Sequence, residues 1–290
     1  MAYTTINKSS EHFNTKLYTG NGTTDTAITG VGFQPDLSII KARDMAYNHN
    51  VMDAVRGSTK RVATDLTDAE STQAQMIKSF ASDGFNLGDN GGVNQDTKTY
   101  ASWNWKANGT GSSNTDGSIT STVSANTTSG FSIVSYTGNG SAGGSTVGHG
   151  LNAVPKMFII KNRSTAKDWT VYHNSISAEN YVELNTTIAS TDSSSIFNDT
   201  APTSSVFSIG NNGQVNTSGD NYISYCFSEK KDLVSLEATQ GMEMLMEHLF
   251  IQDLNQLLFL QKELIQQTIG KYKIVLGQIL MFVMKDYIQI

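Results

Sequence analysis

Five histidines, at positions 12, 49, 149, 173 and 248, are the side chains best suited to bind a metal or move a proton near neutral pH. No two of them stand at His-x-x-x-His spacing, so a zinc site is not expected. The one cysteine, Cys226, excludes an internal disulfide framework and a Cys-rich metal site. Glycoside hydrolysis needs two acids converging on one cleft. Before residue 232 the glutamates are Glu11, Glu70, Glu179, Glu183 and Glu229, and no Glu-x-Asp-x-x-Glu strand motif appears; Asp–Asp pairs stay open. Gly138–Gly144 is followed by neither Lys-Ser/Thr nor a helical pattern, so it is not a phosphate loop. The expectation is therefore no catalytic residue, no metal ligand and no cofactor. Calcium held by the loops Asp83-Gly84 and Asp89-Asn90-Gly91-Gly92 is a weaker alternative, because turn chemistry accounts for both.

Ligand binding leaves a short set of candidates: Asp168, Tyr172, His173 and His149. Trp169 and Val171 alternate with Tyr172 in a strand pattern, so the first two should point inward and Tyr172 outward. His149 lies between Gly148 and Gly150, where a loop histidine could meet a ligand. Trp103 and Trp105 share one face of a strand, and large aromatics in such a pair suit a core as well as a sugar platform.

The elements that must position these residues are duplicated. FNTKLYTGNG at 13–22 returns as FSIVSYTGNG at 131–140, an offset of 118. PDLSIIKAR at 35–43 returns as PKMFIIKNR at 155–163 (offset 120), and YASWNW at 100–105 faces YISYCF at 222–227 (offset 122). Three ordered blocks with a slowly drifting offset mark tandem copies of one unit. In the second copy Tyr225 and Phe227 replace Trp103 and Trp105, which favours an inward face for both pairs. Copy one has Val31 where copy two has His149, which favours a structural role for that histidine.

Short β-branched and aromatic runs separated by Gly, Asn, Ser, Thr and Asp predict strands at sandwich spacing, and Asn-Gly at the end of each YTGNG signals a hairpin turn. Asp65–Ile77 is the one stretch of residues 1–231 that could be a short helix or a polar loop. The fold class is all-β: two tandem antiparallel β-sandwich (jelly-roll or lectin-like) domains, then a disrupted C-terminal segment with helical character. The boundaries are 2–108 for the first repeat, 109–117 for a flexible linker, 118–231 for the second repeat and 232–290 for the segment that follows.

Net charge is −6 and no Lys/Arg cluster stands out, which argues against nucleic-acid binding. No run of about 18 apolar residues predicts a membrane span, and the N-terminus lacks a signal-peptide pattern. Residues 232–290 change abruptly to Leu, Ile, Gln and Met. Back-translated with one base restored near codon 232, Asp232–Glu243 can read GFSKFGSYTGNG, so the segment is expected to be the frameshifted remnant of a third repeat. Reading the nucleotides across codons 225–290 tests this: a single uninterrupted frame with synonymous variation would sink it. A helical oligomerisation stem is the alternative.

The blocks FNTKLYTGNG, IIKAR, YASWNW, GFSIVSYTGNG, PKMFIIKNRS and DWTVYH resemble repeated β-domains of marine phage structural, tail-fibre-like proteins, themselves similar to concanavalin A or LamG lectin sandwiches. That resemblance implies a virion protein made in the host cytoplasm. Its implied partners are other virion proteins, host-surface glycans and two further copies in a homotrimer, with no nucleic acid and no membrane insertion. A passive spacer or capsid-decoration module is the alternative function, and a glycan depolymerase a third.

Overall fold

A computed structural model describes residues 8–230. The frameshifted-remnant reading of 232–290 lies outside the described residues.

Repeat 1 runs through β1 (Phe13–Thr19), β2 (Thr26–Thr29), β3 (Leu37–Ala42), β4 (Asn50–Asp53), β5 (Gly57–Ala63), β6 (Ser71–Thr72), β7 (Ile77–Ala81), β8 (Gly84–Leu87), the single-turn helix α1 (Gly91–Asn94) and β9 (Thr99–Trp105). β10 (Ser112–Asn114) and β11 (Ser121–Asn126) follow. Repeat 2 continues through β12 (Phe131–Thr137), β13 (Ser145–Gly148), β14 (Pro155–Asn162), β15 (Thr170–His173), β16 (Asn180–Glu183), β17 (Thr191–Asp192), α2 (Ser194–Phe197), β18 (Val206–Ile209) and β19 (Asn221–Ser228).

The large sheet of repeat 1 has the order β1-β9-β3-β4-β5-β6. Repeat 2 reproduces it as β12-β19-β14-β15-β16-β17, with β10 and β11 added beyond β12. The central ladders are antiparallel, and Phe13 opposite Trp105 corresponds to Phe131 opposite Phe227. Identical order and register confirm the duplication. Each repeat also has a small sheet, β2-β8-β7 in the first and β13-β18 in the second.

Both faces of each large sheet are buried, for different reasons. One face packs on the repeat's own small sheet: Ile40, Met52 and Tyr100 meet Ile28, Phe85 and Leu87 in repeat 1, while Phe158, Ile160 and Tyr222 meet Val147, Phe207 and Ile209 in repeat 2. The other face packs on the other repeat. Phe13, Leu37, Val51, Val62, Trp103 and Trp105 share one core with Phe131, Ile133, Met157, Trp169, Tyr225 and Phe227. Each repeat is thus β-sandwich-like, and the two sandwiches are joined back to back. Strict alternation along β9 and β19 does this: Trp103, Trp105, Tyr225 and Phe227 enter the shared core, while Tyr100, Tyr222 and Cys226 enter the private ones. Trp103 and Trp105 are core residues, as expected, but of the seam between repeats.

The repeated YTGNG is a structural lock. Tyr18 and Tyr136 stack on Tyr100 and Tyr222 at centroid separations of 5.2 and 5.0 Å, and their hydroxyls donate to Val93 O and Val215 O at 2.8 Å. Asn94 and Asn216, both fully buried, accept from the backbone N–H of Asn21 and Asn139 at 3.0 and 2.9 Å. A Cβ on Gly20 or Gly138 would stand 2.3 Å from a backbone oxygen, Gln95 O or Thr217 O, so only glycine fits either place. Gly22 and Gly140 turn the chain at φ of +66° and +65°.

One expectation changes, and one alternative left open by the sequence is decided. The segment 109–117 is not a free linker: Ser112–Asn114 pairs with β11, because the polar stretch carries backbone donors and acceptors that match an otherwise open sheet edge. Asp65–Ile77 forms no helix. It contains the two-residue strand β6, paired with β5, and a polar loop whose Thr67 O accepts from Lys161 Nζ and Lys167 N of repeat 2 while Glu70 N donates to Arg163 O.

Candidate functional site

The four predicted ligand residues do not form one site: Tyr172 and His173 are consecutive on β15 and so point to opposite faces, Asp168 precedes that strand, His149 follows β13, and no hydrogen bond joins any two of them. Tyr172 does not face outward. It is buried, stacked on Phe158 at 4.7 Å and edge-on to Phe197 at 5.6 Å. Alternation correctly sent Trp169 and Tyr172 to opposite faces, but a sheet covered on both sides has no outward face in its middle. His149 is also no exposed loop residue; it is fully buried. Its Nδ1 accepts from Leu151 N at 3.2 Å, which leaves Nε2–H to donate to Thr203 O at 3.2 Å. Burial holds its pKa below the ordinary histidine value, so the imidazole is neutral at pH 7. His173, half-buried, accepts from Ser175 N at 3.2 Å, and its Nε2 is sealed from water without a partner. Asp168, half-buried, accepts from Asn185 Nδ2 at 2.8 Å. All four support loops or cores.

The two loops considered for calcium have similar duties. The Asp83 carboxylate accepts from Gly30 N and Gly32 N at 2.9 and 2.6 Å, and Asn90 Oδ1 caps α1 through Gly92 N at 2.8 Å. Among the described residues no three His, Cys, Asp or Glu side chains gather as a metal site would need.

The densest polar constellation was not expected from sequence, and it lies at the seam. Arg56 and Asp53 are completely buried, with Arg56 Nε donating to Asp53 Oδ2 at 2.5 Å. Tyr225, from the other repeat, donates its hydroxyl to the same Asp53 oxygen at 2.7 Å. Burial raises the Tyr225 hydroxyl well above its ordinary pKa, so it keeps the proton that it donates. Arg56 also donates to Glu70 Oε2 at 3.2 Å and to Val51 O at 3.1 Å. Glu70 receives a two-pronged contact from Arg163 of repeat 2, Nε to Oε2 at 2.8 Å and Nη2 to Oε1 at 3.0 Å. Burial pushes the Glu70 carboxyl up, but Arg163 and Arg56 outweigh it and hold it below the usual range.

Around this network the 63–70 loop clasps the β14–β15 hairpin. Trp169 Nε1 donates to Ala63 O at 2.8 Å, Lys161 Nζ to Thr67 O at 3.0 Å, and Glu70 N to Arg163 O at 2.9 Å. The only sequence signal for this was negative: Asp53, Arg56 and Glu70 have no counterparts in copy two, where the aligned residues include His173 and Ile176. Nothing in spacing alone says that such a departure is a contact.

Fold and contacts together define a duplicated all-β protein, two β-sandwich-like repeats fastened by one core and one buried ionic seam. The chain belongs to the family described as Domain of unknown function (DUF7483), which matches residues 8–241 in a single span across both repeats. No curated protein and no solved structure gives a significant match.

Proposed function

We propose that the chain is a non-enzymatic virion structural protein of tail-fibre-like type that presents rigid β-sandwich modules for attachment to host-surface glycans. The observation that carries this reading is the seam. Two repeats with a shared core and a buried ion network form a stiff building block, the property a fibre or adhesion module requires. The most specific motif, YTGNG, holds loops in both copies. Other virion proteins and a homotrimeric assembly are the proposed partners. Weak sites repeated on such an assembly would gain avidity through effective concentration.

A second reading, a passive spacer or capsid-decoration module, is favoured by the burial of Tyr172 and His149, two of the four side chains that sequence put forward for a ligand. A glycan array probed with the full chain separates the two. Reproducible hits support attachment; an empty array supports the spacer. The virion role has its own test, because immunogold labelling of purified virions that finds no protein would end it.

A further inference from the structure

The two repeats fasten the same turn with side chains of opposite acid–base character. The turn follows the first strand of each small sheet, Gly30-Val31-Gly32 after β2 and Gly148-His149-Gly150 at the end of β13. In both copies its middle residue bonds to the loop that leads into the partner strand: Val31 N donates to Asp83 O at 3.4 Å, and His149 N to Ser205 O at 3.1 Å. In repeat 1 the loop supplies a carboxylate as well. Asp83 accepts from Gly30 N at 2.9 Å and from Gly32 N at 2.6 Å. Repeat 2 has no such group, since residues 200–205 read TAPTSS. There the turn itself supplies the tie. His149 Nδ1 accepts from Leu151 N at 3.2 Å, and Nε2 reaches across to Thr203 O at 3.2 Å.

Only one proton arrangement satisfies both ends of the ring. Nδ1 must stay bare to accept from Leu151 N, and Nε2 must carry the hydrogen that Thr203 O accepts. A second proton would go to Nδ1. It would set two N–H donors against each other, and it would place a charge on a fully buried ring beside the core that holds Val147 and Leu151. Few charges stand near enough to help. Asp116, in the segment before β11, favours the protonated ring, but burial outweighs it and holds the ring below its ordinary value of 6.5. β11, β13 and β18 carry no ionisable side chain, and the loop 198–205 carries only Asp199, which is exposed.

We propose that His149 is an acid-sensitive latch of repeat 2, whose protonation frees the turn 149–151 and the loop 198–205 while repeat 1 stays closed. The latch goes beyond the attachment reading and does not depend on it. The direction follows from linkage. Above the ordinary histidine value of 6.5 the ring is neutral in open and closed forms alike, and pH has no effect through it. As pH falls through that value the open form takes the proton first. The closed form then loses ground about tenfold per pH unit until its own, lower pKa is reached. The tie in repeat 1 responds elsewhere. Gly32 N and Gly30 N hold the Asp83 carboxyl below its ordinary 3.8, so that tie persists through the range in which His149 lets go.

Hydrogen exchange of the full chain, read residue by residue at pH 7.5 and 5.0 and corrected for the intrinsic rate at each pH, tests the latch. Repeat 1 is the internal control. Acid should speed exchange of the His149 and Leu151 amides several-fold more than that of the Val31 and Gly32 amides. His149→Val, which installs the residue of repeat 1, should remove the difference. His12, His49 and His173 remain in that variant, so an acid response that survives it belongs to them. An equal response in the two repeats, or one undiminished in His149→Val, would overturn the proposal. Should His149→Val fail to fold, the wild-type ring decides by NMR titration: a His149 ring that takes up its proton while the Leu151 amide stays protected is no latch.

Discussion

Arg56→Met is the sharpest probe of the seam. The substitution removes a fully buried cation but keeps most of the side-chain length. Asp53, also without exposure, would then retain only Tyr225 OH at 2.7 Å and the backbone N–H of residue 56 at 2.8 Å. Glu70 would lose the 3.2 Å contact but keep both prongs of Arg163. The loss therefore concentrates on one uncompensated carboxylate, and breaking a buried pair in this way costs about 3–5 kcal/mol. That is a large share of the roughly 5–15 kcal/mol that holds a domain folded. Urea denaturation of the full chain at pH 7 should show the midpoint falling. The same experiment with Asp53→Asn added should recover about 1.5 kcal/mol or more, because the stranded charge is gone. A single variant within about 1 kcal/mol of wild type, or a double variant no better than the single, would refute the view that a buried ionic contact fastens the repeats.

Three further outcomes follow from the same contacts. Tyr172→Phe should change stability by less than about 0.5 kcal/mol while Tyr172→Ala loses about 3–5 kcal/mol, since its ring fills a core; equal effects in denaturation would mean the hydroxyl matters. Lys161 is buried and its ammonium pKa is pushed down from 10.5 to about 8, chiefly by burial. Between those values the unfolded chain binds more protons than the folded one, so this group makes stability rise with pH, by up to about 3 kcal/mol. Cys226, with its thiol pushed up from 9.0 to about 12 by burial, works in the opposite direction above pH 9. The readout is therefore the difference between wild type and Lys161→Met from pH 7.5 to 10.5, and parallel curves would contradict the assignment. Gly20→Ala and Gly138→Ala should each cost about 1–3 kcal/mol, because the new Cβ meets a backbone oxygen in both copies; a measured loss below about 0.5 kcal/mol at either site would remove the structural account of YTGNG.

The sequence by itself determined the duplication, the all-β class and the paired aromatics of β9 and β19; the hairpin it signalled at each Asn-Gly does not form, because the strands on either side belong to different sheets. The first three depend on local backbone preference and on period-two alternation, which spacing records directly. It also revealed that Trp103 and Trp105 point inward. Only the tertiary structure decided what inward means: the large sheets have two buried faces, so Tyr172 is as enclosed as Trp169. Alternation distinguishes faces and does not say how many of them are covered. The ionic seam was invisible for a related reason. Asp53 and Tyr225 lie 172 positions apart in the chain and share a proton contact only because two sheets meet.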